Sequence, residues 1–215
     1  MDVSDLVQKI EHWFDKTKHR DRTNALAQVE GFLRQVIGWR EFCRLAAWKY
    51  RDVLWNSNGL RARKRLNQNW YDGTTGIKPV DESIRKAFDT GYLHHIERLM
   101  IVGNYMTLSG IHPKEMYRWF MEFAMDSYDW VMILNVFAMA SYADKGTAFT
   151  KPYISSSNYI RKMTHYEVYP NWTEDWDSKY YSFLAKHKKL FKKNPRMNLM
   201  MSGLKKHRTS SETKE

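Results

Sequence analysis

Apolar side chains recur along most of this chain every three or four residues, the spacing of one buried helical face. Leu6, Val7, Ile10, Trp13 and Phe14 make the first stripe, with Asp2 or Ser4 placed to cap it. Leu26, Val29, Phe32, Leu33, Val36, Ile37, Phe42, Leu45, Ala46 and Trp48 continue the rhythm across Gly31 and Gly38, predicting a long helix that the glycines can kink. Residues 56–80 carry Asn58-Gly59, Asp72-Gly73, Gly76 and Pro79 and read mostly as loop, with a short helix over the basic run between them. From Asp81 the helical pattern resumes through Ile84, Phe88, Leu93, Ile96, Leu99 and Met100 to Leu108, with a break expected at Thr90-Gly91. Gly110 reads as a C-cap and Pro113 as the first residue of the next helix, whose stripe is Met116, Trp119, Phe120 and Phe123. Between Asn135 and Asn158 the pattern dissolves into small and polar residues, predicting a long structured loop of the kind that carries function. A short helix near 158–163, a connection over 166–177 and a final amphipathic helix through Tyr180, Leu184 and Phe191 complete the reading. No alternating strand pattern of useful length occurs, so the fold class is all-α.

Composition narrows the function classes. The chain has 215 residues, 43% hydrophobic and 15% aromatic, which suits one packed domain and excludes disorder throughout. No apolar run approaches the roughly 20 residues of a membrane span, and the first residues lack a basic stretch followed by an apolar one. No membrane partner and an intracellular location are therefore expected. A single cysteine, Cys43, excludes an internal disulfide and a four-cysteine cluster. The net charge is +11, and most of it lies after Phe183, where ten Lys and Arg face only Glu212 and Glu215. Residues 201–215, with no apolar period, are expected to be a basic solvated tail. Arg61, Arg63, Lys64 and Arg65 form a second basic cluster, and such clusters suit a nucleic-acid backbone as well as an ordinary soluble surface.

Few residues carry chemistry by spacing alone. His94 and His95, adjacent within an expected helix, point about 100° apart and cannot share one ion, so no metal site is expected. One of them could donate a proton near neutral pH, or both could be satisfied structural histidines. Nine tryptophans could form a stacking surface for a flat ligand or simply a core. Lys151-Pro152-Tyr153 and Asn158-Tyr159 place phenols at the two ends of a serine run, which turn chemistry explains equally well.

Several motifs in series point further. The run from Gln28 to Phe42 (QVEGFLRQVIGWREF), then Gly91 to Met100 (GYLHHIERLM) with Gly103-Asn104, then Asp129-Trp130-Val131 with Asn135, Ala143-Asp144, Lys151-Pro152-Tyr153 and Ser157-Asn158-Tyr159-Ile160 resemble the C-terminal half of photolyases and cryptochromes. The branch most resembled is that of the iron–sulphur bacterial cryptochromes and (6-4) photolyases, over residues 25–200, after an N-terminal helix and connector in 1–24. The resemblance implies a helical domain that buries FAD and admits a flipped-out lesion of UV-damaged DNA. It implies catalytic roles for His94, His95, Tyr153 and Tyr159, with His95 as the proton donor. It implies flavin contacts from Trp39, Asp129, Met132, Asn135, Met139 and Asp144, and electron transfer through Trp119, with Tyr71 where relatives often carry tryptophan. Arg61, Arg63, Lys64, Arg65 and Lys151 are the expected DNA contacts.

The departures matter too. Where that branch holds a four-iron cluster on cysteines, this chain has Pro79, Glu167, Pro170 and the neighbourhood of Asp175, so no cluster is expected. Phe120 stands where tyrosine is common, and Met132 where a polar group is expected. Such proteins are about twice this long, with an N-terminal α/β antenna domain and a linker that helps hold FAD. Light-driven repair of a (6-4) or cyclobutane dimer, with a separate chain supplying the missing half, is the leading expectation. The alternatives are a photoreceptor without repair and a non-catalytic remnant that binds nucleic acid.

Overall fold

Helical spacing in the sequence becomes helix wherever a stripe meets a cap. The computed structural model describes residues 2–17, 21–164 and 170–204. Among them the fold is all-α, and β pairing is limited to a single parallel bridge between Lys64 and Ile111. The chain packs as two units, residues 1–51 and 52–215.

In the first unit, α1 (Val3–Asp15) is capped by Asp2, whose carboxylate accepts the Ser4 N–H at 3.4 Å. α2 (Arg22–Leu33) runs without a break through a π-helical segment, Arg34–Arg40, into α3 (Glu41–Trp55). Where the sequence offers Gly38 as a kink, the helix widens by a π turn instead. Cys43 is buried, and that burial pushes its thiol up to about 11, which removes it from thiolate chemistry at neutral pH.

The second unit is built around Ile84, Ile101, Met106, Met116, Trp119, Phe137 and Trp176, none more than 1% exposed. Its first segment departs from the helix expected over the basic run. Arg61 turns in the left-handed region (φ 53°), and residues 62–65 form no helix because the Lys64 N–H donates to Gly110 O (3.1 Å) and the His112 N–H donates to Lys64 O (2.9 Å). After a single turn, α4 (Asn69–Asp72), α5 (Lys78–Thr90) starts three residues before Asp81. Pro79 suits a first helical turn, and the Asp81 carboxylate accepts the N–H groups of Thr75 (2.7 Å) and Gly76 (3.1 Å), folding the loop onto the helix. Gly91 ends α5 at the expected break, and Gly110 is a C-cap as expected, both in the left-handed conformation.

Helix then runs from residue 95 through a second π segment, Glu97–Gly103, into α6 (Asn104–Ser109), followed by α7 (Pro113–Phe123) and α8 (Asp129–Leu134). A third π segment, Asn135–Ala140, extends α8 into the stretch predicted to be loop. Val136, Phe137, Ala138, Met139 and Ala140 are all buried, so this helix has no polar face for periodicity to reveal. α9 (Ser157–Met163) is capped from a distance: Asp177 accepts the Ser157 N–H (2.7 Å) and hydroxyl (2.8 Å). α10 (Pro170–Lys186) occupies much of the expected connection and breaks at His187 before α11 (Lys188–Phe191). A 3₁₀ turn, Pro195–Met197, and helix over 198–204 bury Met197, Met201 and Leu204, so order continues past residue 201; residues 205–215 of the expected tail lie outside the described residues. No described helix is long and apolar enough to cross a membrane.

Three histidines make the fold sensitive to acid. Burial is the first cause holding His95, His112 and His187 below the ordinary imidazole value, and neighbouring cations (Arg98, Lys114 and Lys186) push the same way. His112 also caps α7 by accepting the Lys114 N–H on Nδ1 at 3.1 Å, which only an unprotonated nitrogen can do. Depressed folded-state values mean the unfolded chain binds more protons below about pH 6.5. Stability is complete above that pH and declines as pH falls through the folded values. The melting temperature followed by circular dichroism is expected to drop between pH 7.5 and 5, and His187→Gln to flatten part of the drop; a flat profile in the native chain would contradict this.

Candidate functional site

Two of the π segments meet at one cleft in the second unit. A cavity of about 270 Å³ is lined by His95, Arg98 and Leu99 from one helix and by Met132, Asn135, Val136, Met139 and Ala140 from the other, with Phe120 of α7 completing the wall. π turns are rare and concentrate at functional sites, because the extra residue per turn re-aims side chains that a regular helix would keep in line. The two helices approach closely at Gly103, where an added Cβ would fall 3.2 Å from the Ala140 Cβ and 2.8 Å from Arg98 O. The Thr107 hydroxyl donates to Ala140 O at 2.8 Å and ties the two helices at that level.

The rim is set by charge. His94 lies just before the helix and not within it, because its Nδ1 accepts the Glu97 N–H (3.3 Å) while Glu97 Oε2 accepts the His94 N–H (3.0 Å). This reciprocal pair works as a capping box with imidazole in the usual place of a hydroxyl. Glu97 is held in turn by Lys86 Nζ at 2.8 and 2.9 Å. Those bonds turn His94 toward Glu97, while His95, one residue on, lines the cleft. Arg98 donates to Asp126 at 2.7 Å and lies 5.3 Å from the Tyr92 ring centroid, placing a fixed ion pair at the mouth.

Inside, the walls are apolar except for one amide. Asn135 Oδ1 is buried with no hydrogen-bond partner, an arrangement that costs about 1–3 kcal/mol unless something fills it. Met132, Val136 and Met139 surround Asn135 in the wall and give it an apolar surface that suits a flat ring system. The cavity lies near the lower limit of small-molecule pockets, roughly 300–1,000 Å³, so it takes a ring system and not a whole dinucleotide.

Behind the cleft, Phe120 packs edge-on against Trp119 at 5.1 Å between centroids. Trp119 stacks on Phe123 at 5.1 Å, and Phe123 lies 5.7 Å from Tyr71. The Trp119 indole N–H donates to Trp70 O at 2.8 Å. Tyr71 is half-buried, so the four rings run from the cavity wall towards the surface.

Of the residues singled out in the sequence, the cleft gathers His95, Met132, Asn135 and Met139. Others lie elsewhere. Asp129, on α8, accepts the Tyr117 hydroxyl. Asp144 turns onto its own loop, accepting the N–H groups of Gly146 (3.0 Å) and Ala148 (2.7 Å), with its carboxyl pushed up by burial. Tyr153 packs on Phe149, and Tyr159 lies on α9; neither lines the cavity. Trp39 belongs to the first unit, where its ring lies 6.2 Å from that of Phe42. Arg61, Arg63 and Lys64 line a different groove, and Arg65 and Lys151 are exposed. Pro79 is buried in α5, Asp175 lies on α10, and Glu167 is outside the described residues; among the described residues no three His, Cys, Asp or Glu side chains come together to hold a metal. Arg98, Asp126 and Val136 escaped the sequence reading. Arg98 was visible only as a neighbour of the histidines, and nothing local marks Asp126 as its partner.

Comparison with known proteins identifies the family. The family described as the FAD binding domain of DNA photolyase matches residues 32–188. A (6-4) photolyase of Agrobacterium fabrum is 36% identical over 181 residues, 80% of this chain and 36% of that protein. An uncharacterized protein of Acanthamoeba polyphaga mimivirus is 48% identical over 93 residues, 43% of this chain and 76% of that protein. The mitochondrial deoxyribodipyrimidine photo-lyase of Saccharomyces cerevisiae is 29% identical over 114 residues, 46% of this chain and 19% of that enzyme. The chain thus spans about a third of the length of the bacterial photolyase it matches. It belongs to the photolyase and cryptochrome family, as a form of its FAD-binding domain.

Proposed function

We propose that this chain carries the FAD-binding, catalytic part of a light-driven DNA photolyase that acts on a pyrimidine dimer, the (6-4) product first. The observation that carries the reading is that one cleft is lined by both His95 and Asn135, the latter with an amide oxygen that is buried and has no hydrogen-bond partner. Bound FAD would supply the light-driven electron; the protein positions, shields and moves protons. Asn135 would meet the polar edge of the flavin ring, and Met132, Val136 and Met139 would enclose its faces and keep water out. Trp119 and Tyr71 form, with Phe123, the path by which an electron would reach the cavity wall from the surface. His95, at the mouth, would donate a proton to the lesion.

Asn135→Ala is expected to weaken FAD binding about tenfold, the worth of one well-placed hydrogen bond; unchanged affinity in a fluorescence titration would remove the amide from the site. The functional reading is tested by illuminating the flavin-loaded chain with blue light in the presence of an oligonucleotide carrying one (6-4) product, with a dark control. Light-dependent loss of the photoproduct supports repair. Flavin uptake with no loss of either a (6-4) or a cyclobutane dimer would favour a photoreceptor instead.

A further inference from the structure

The helix that carries His95 at its start ends at Ser109, roughly 20 Å away at 1.5 Å per residue. A groove of about 430 Å³ opens at that far end. One wall is the 61–64 segment; the other is α10. Five cationic side chains line it, Arg61, Arg63, Lys64, Lys179 and Lys186, and no carboxylate does. The hydroxyls of Ser109, Ser178 and Ser182 lie among them.

The segment is a rigid strap. Asn58 clasps Ala62 with both groups of its side chain, accepting the Ala62 N–H at 2.9 Å and donating to Ala62 O at 2.8 Å. The bonds from Lys64 to Gly110 and from His112 to Lys64 fix its other end. On α10, Lys179, Ser182 and Lys186 recur at the spacing of one helical face. Helix ends explain part of this charge: α6 and α10 both finish here, and their C-terminal dipoles attract cations. Two half-charges do not account for five full ones, and nothing in the dipoles requires Arg61 and Arg63.

We propose that this groove is a second nucleic-acid contact, in which Lys179 and Lys186 join the strap as ligands for the sugar-phosphate backbone away from the lesion. The inference rests on the DNA-repair reading above and extends it to residues that no sequence motif marks. Lys179 and Lys186 lie about 10 Å apart along α10. Each strand of a duplex presents a phosphate about every 3.4 Å along the axis, so these two lysines meet phosphates about three apart. Serine hydroxyls and lysines make contacts of this kind, which position a duplex without reading its sequence.

The test uses the whole chain without added flavin and an undamaged fluorescent duplex, with anisotropy measured from low to moderate salt. Lys179→Gln with Lys186→Gln is expected to weaken binding at least tenfold at low salt and to reduce the log–log salt slope by about 2, since each lost phosphate contact removes about 0.9. Lys192→Gln with Lys193→Gln removes the same charge elsewhere and is expected to change the slope little. Equal losses from both pairs would mean that only net charge matters and would overturn the proposal. So would a groove variant that keeps duplex affinity but loses binding to phosphatidylserine vesicles. Because Lys179 lies 5.6 Å from the Tyr105 ring centroid, Arg63→Gln serves as a second variant whose loss of affinity cannot be ascribed to repacking of α10. Failure to take up flavin or to repair a lesion defeats the functional reading and leaves this result standing; an unchanged duplex affinity does the reverse.

Discussion

His95→Ala is expected to abolish repair of a (6-4) product while leaving flavin bound. His95 lines the mouth of the cleft, while the structural work of capping the helix falls to His94. Removing a positioned proton donor costs about 10²–10⁴ in rate. The pH dependence follows from the same environment. Partial burial first, then Arg98 and His94, hold the His95 imidazole below its ordinary value, so at neutral pH most of it carries no proton to give. The native repair rate is therefore expected to rise as pH falls from 8 towards 6, and His95→Ala to remove that rise together with the activity. A variant that loses its flavin along with activity would make His95 structural. A pH profile unchanged by the substitution would assign the proton to another group.

Gly103→Leu is expected to damage both the fold and the cleft. Even a single added Cβ meets the Ala140 Cβ at 3.2 Å and Arg98 O at 2.8 Å, and both neighbours belong to helices that line the cavity. Overpacking of this kind costs roughly 1–3 kcal/mol. In a chain of this size that lowers the melting temperature by several degrees. Forcing the two π segments apart also displaces Asn135 and Met139 relative to Arg98 and Leu99, so FAD affinity is expected to fall further than stability alone requires. Combining Gly103→Ala with Ala140→Gly relieves one of the two contacts and should recover part of the loss. Unchanged melting and flavin uptake in Gly103→Leu would show that the close approach is not needed.

The helices with one polar face were legible from spacing. The break at Thr90-Gly91, the cap at Gly110 and the start of α7 at Pro113 are signalled chemically, whereas α5 begins at Lys78, three residues before the apolar period shows it. Asn135–Ala140 was missed for the opposite reason: it is buried on all sides, and helical periodicity is a surface signal. The basic run at 61–65 gives no local sign that it is not a helix, since the bonds that hold Lys64 come from Gly110 and His112, nearly fifty residues away. The π turns left no trace in composition either. Among the expected site residues, His95, Met132, Asn135 and Met139 meet because two helices carry them to one place. Asp144 belongs to the same motif series but satisfies its own loop, and no local pattern separates a carboxylate that caps from one that binds. Tyr153 and Tyr159 lie on segments that the cavity does not touch.

The central claim is that the cleft between the two π segments holds the flavin ring, and titration of FAD into the purified chain tests it most directly. Visible absorption and flavin fluorescence are followed in parallel for the native chain, Asn135→Ala and Met139→Arg. The account predicts stoichiometric uptake by the native chain, with a perturbed, structured flavin band, about tenfold weaker binding by Asn135→Ala, and none by Met139→Arg, which places a charge in the apolar wall. A native chain that stays colourless with FAD, or equal uptake by all three, would contradict it.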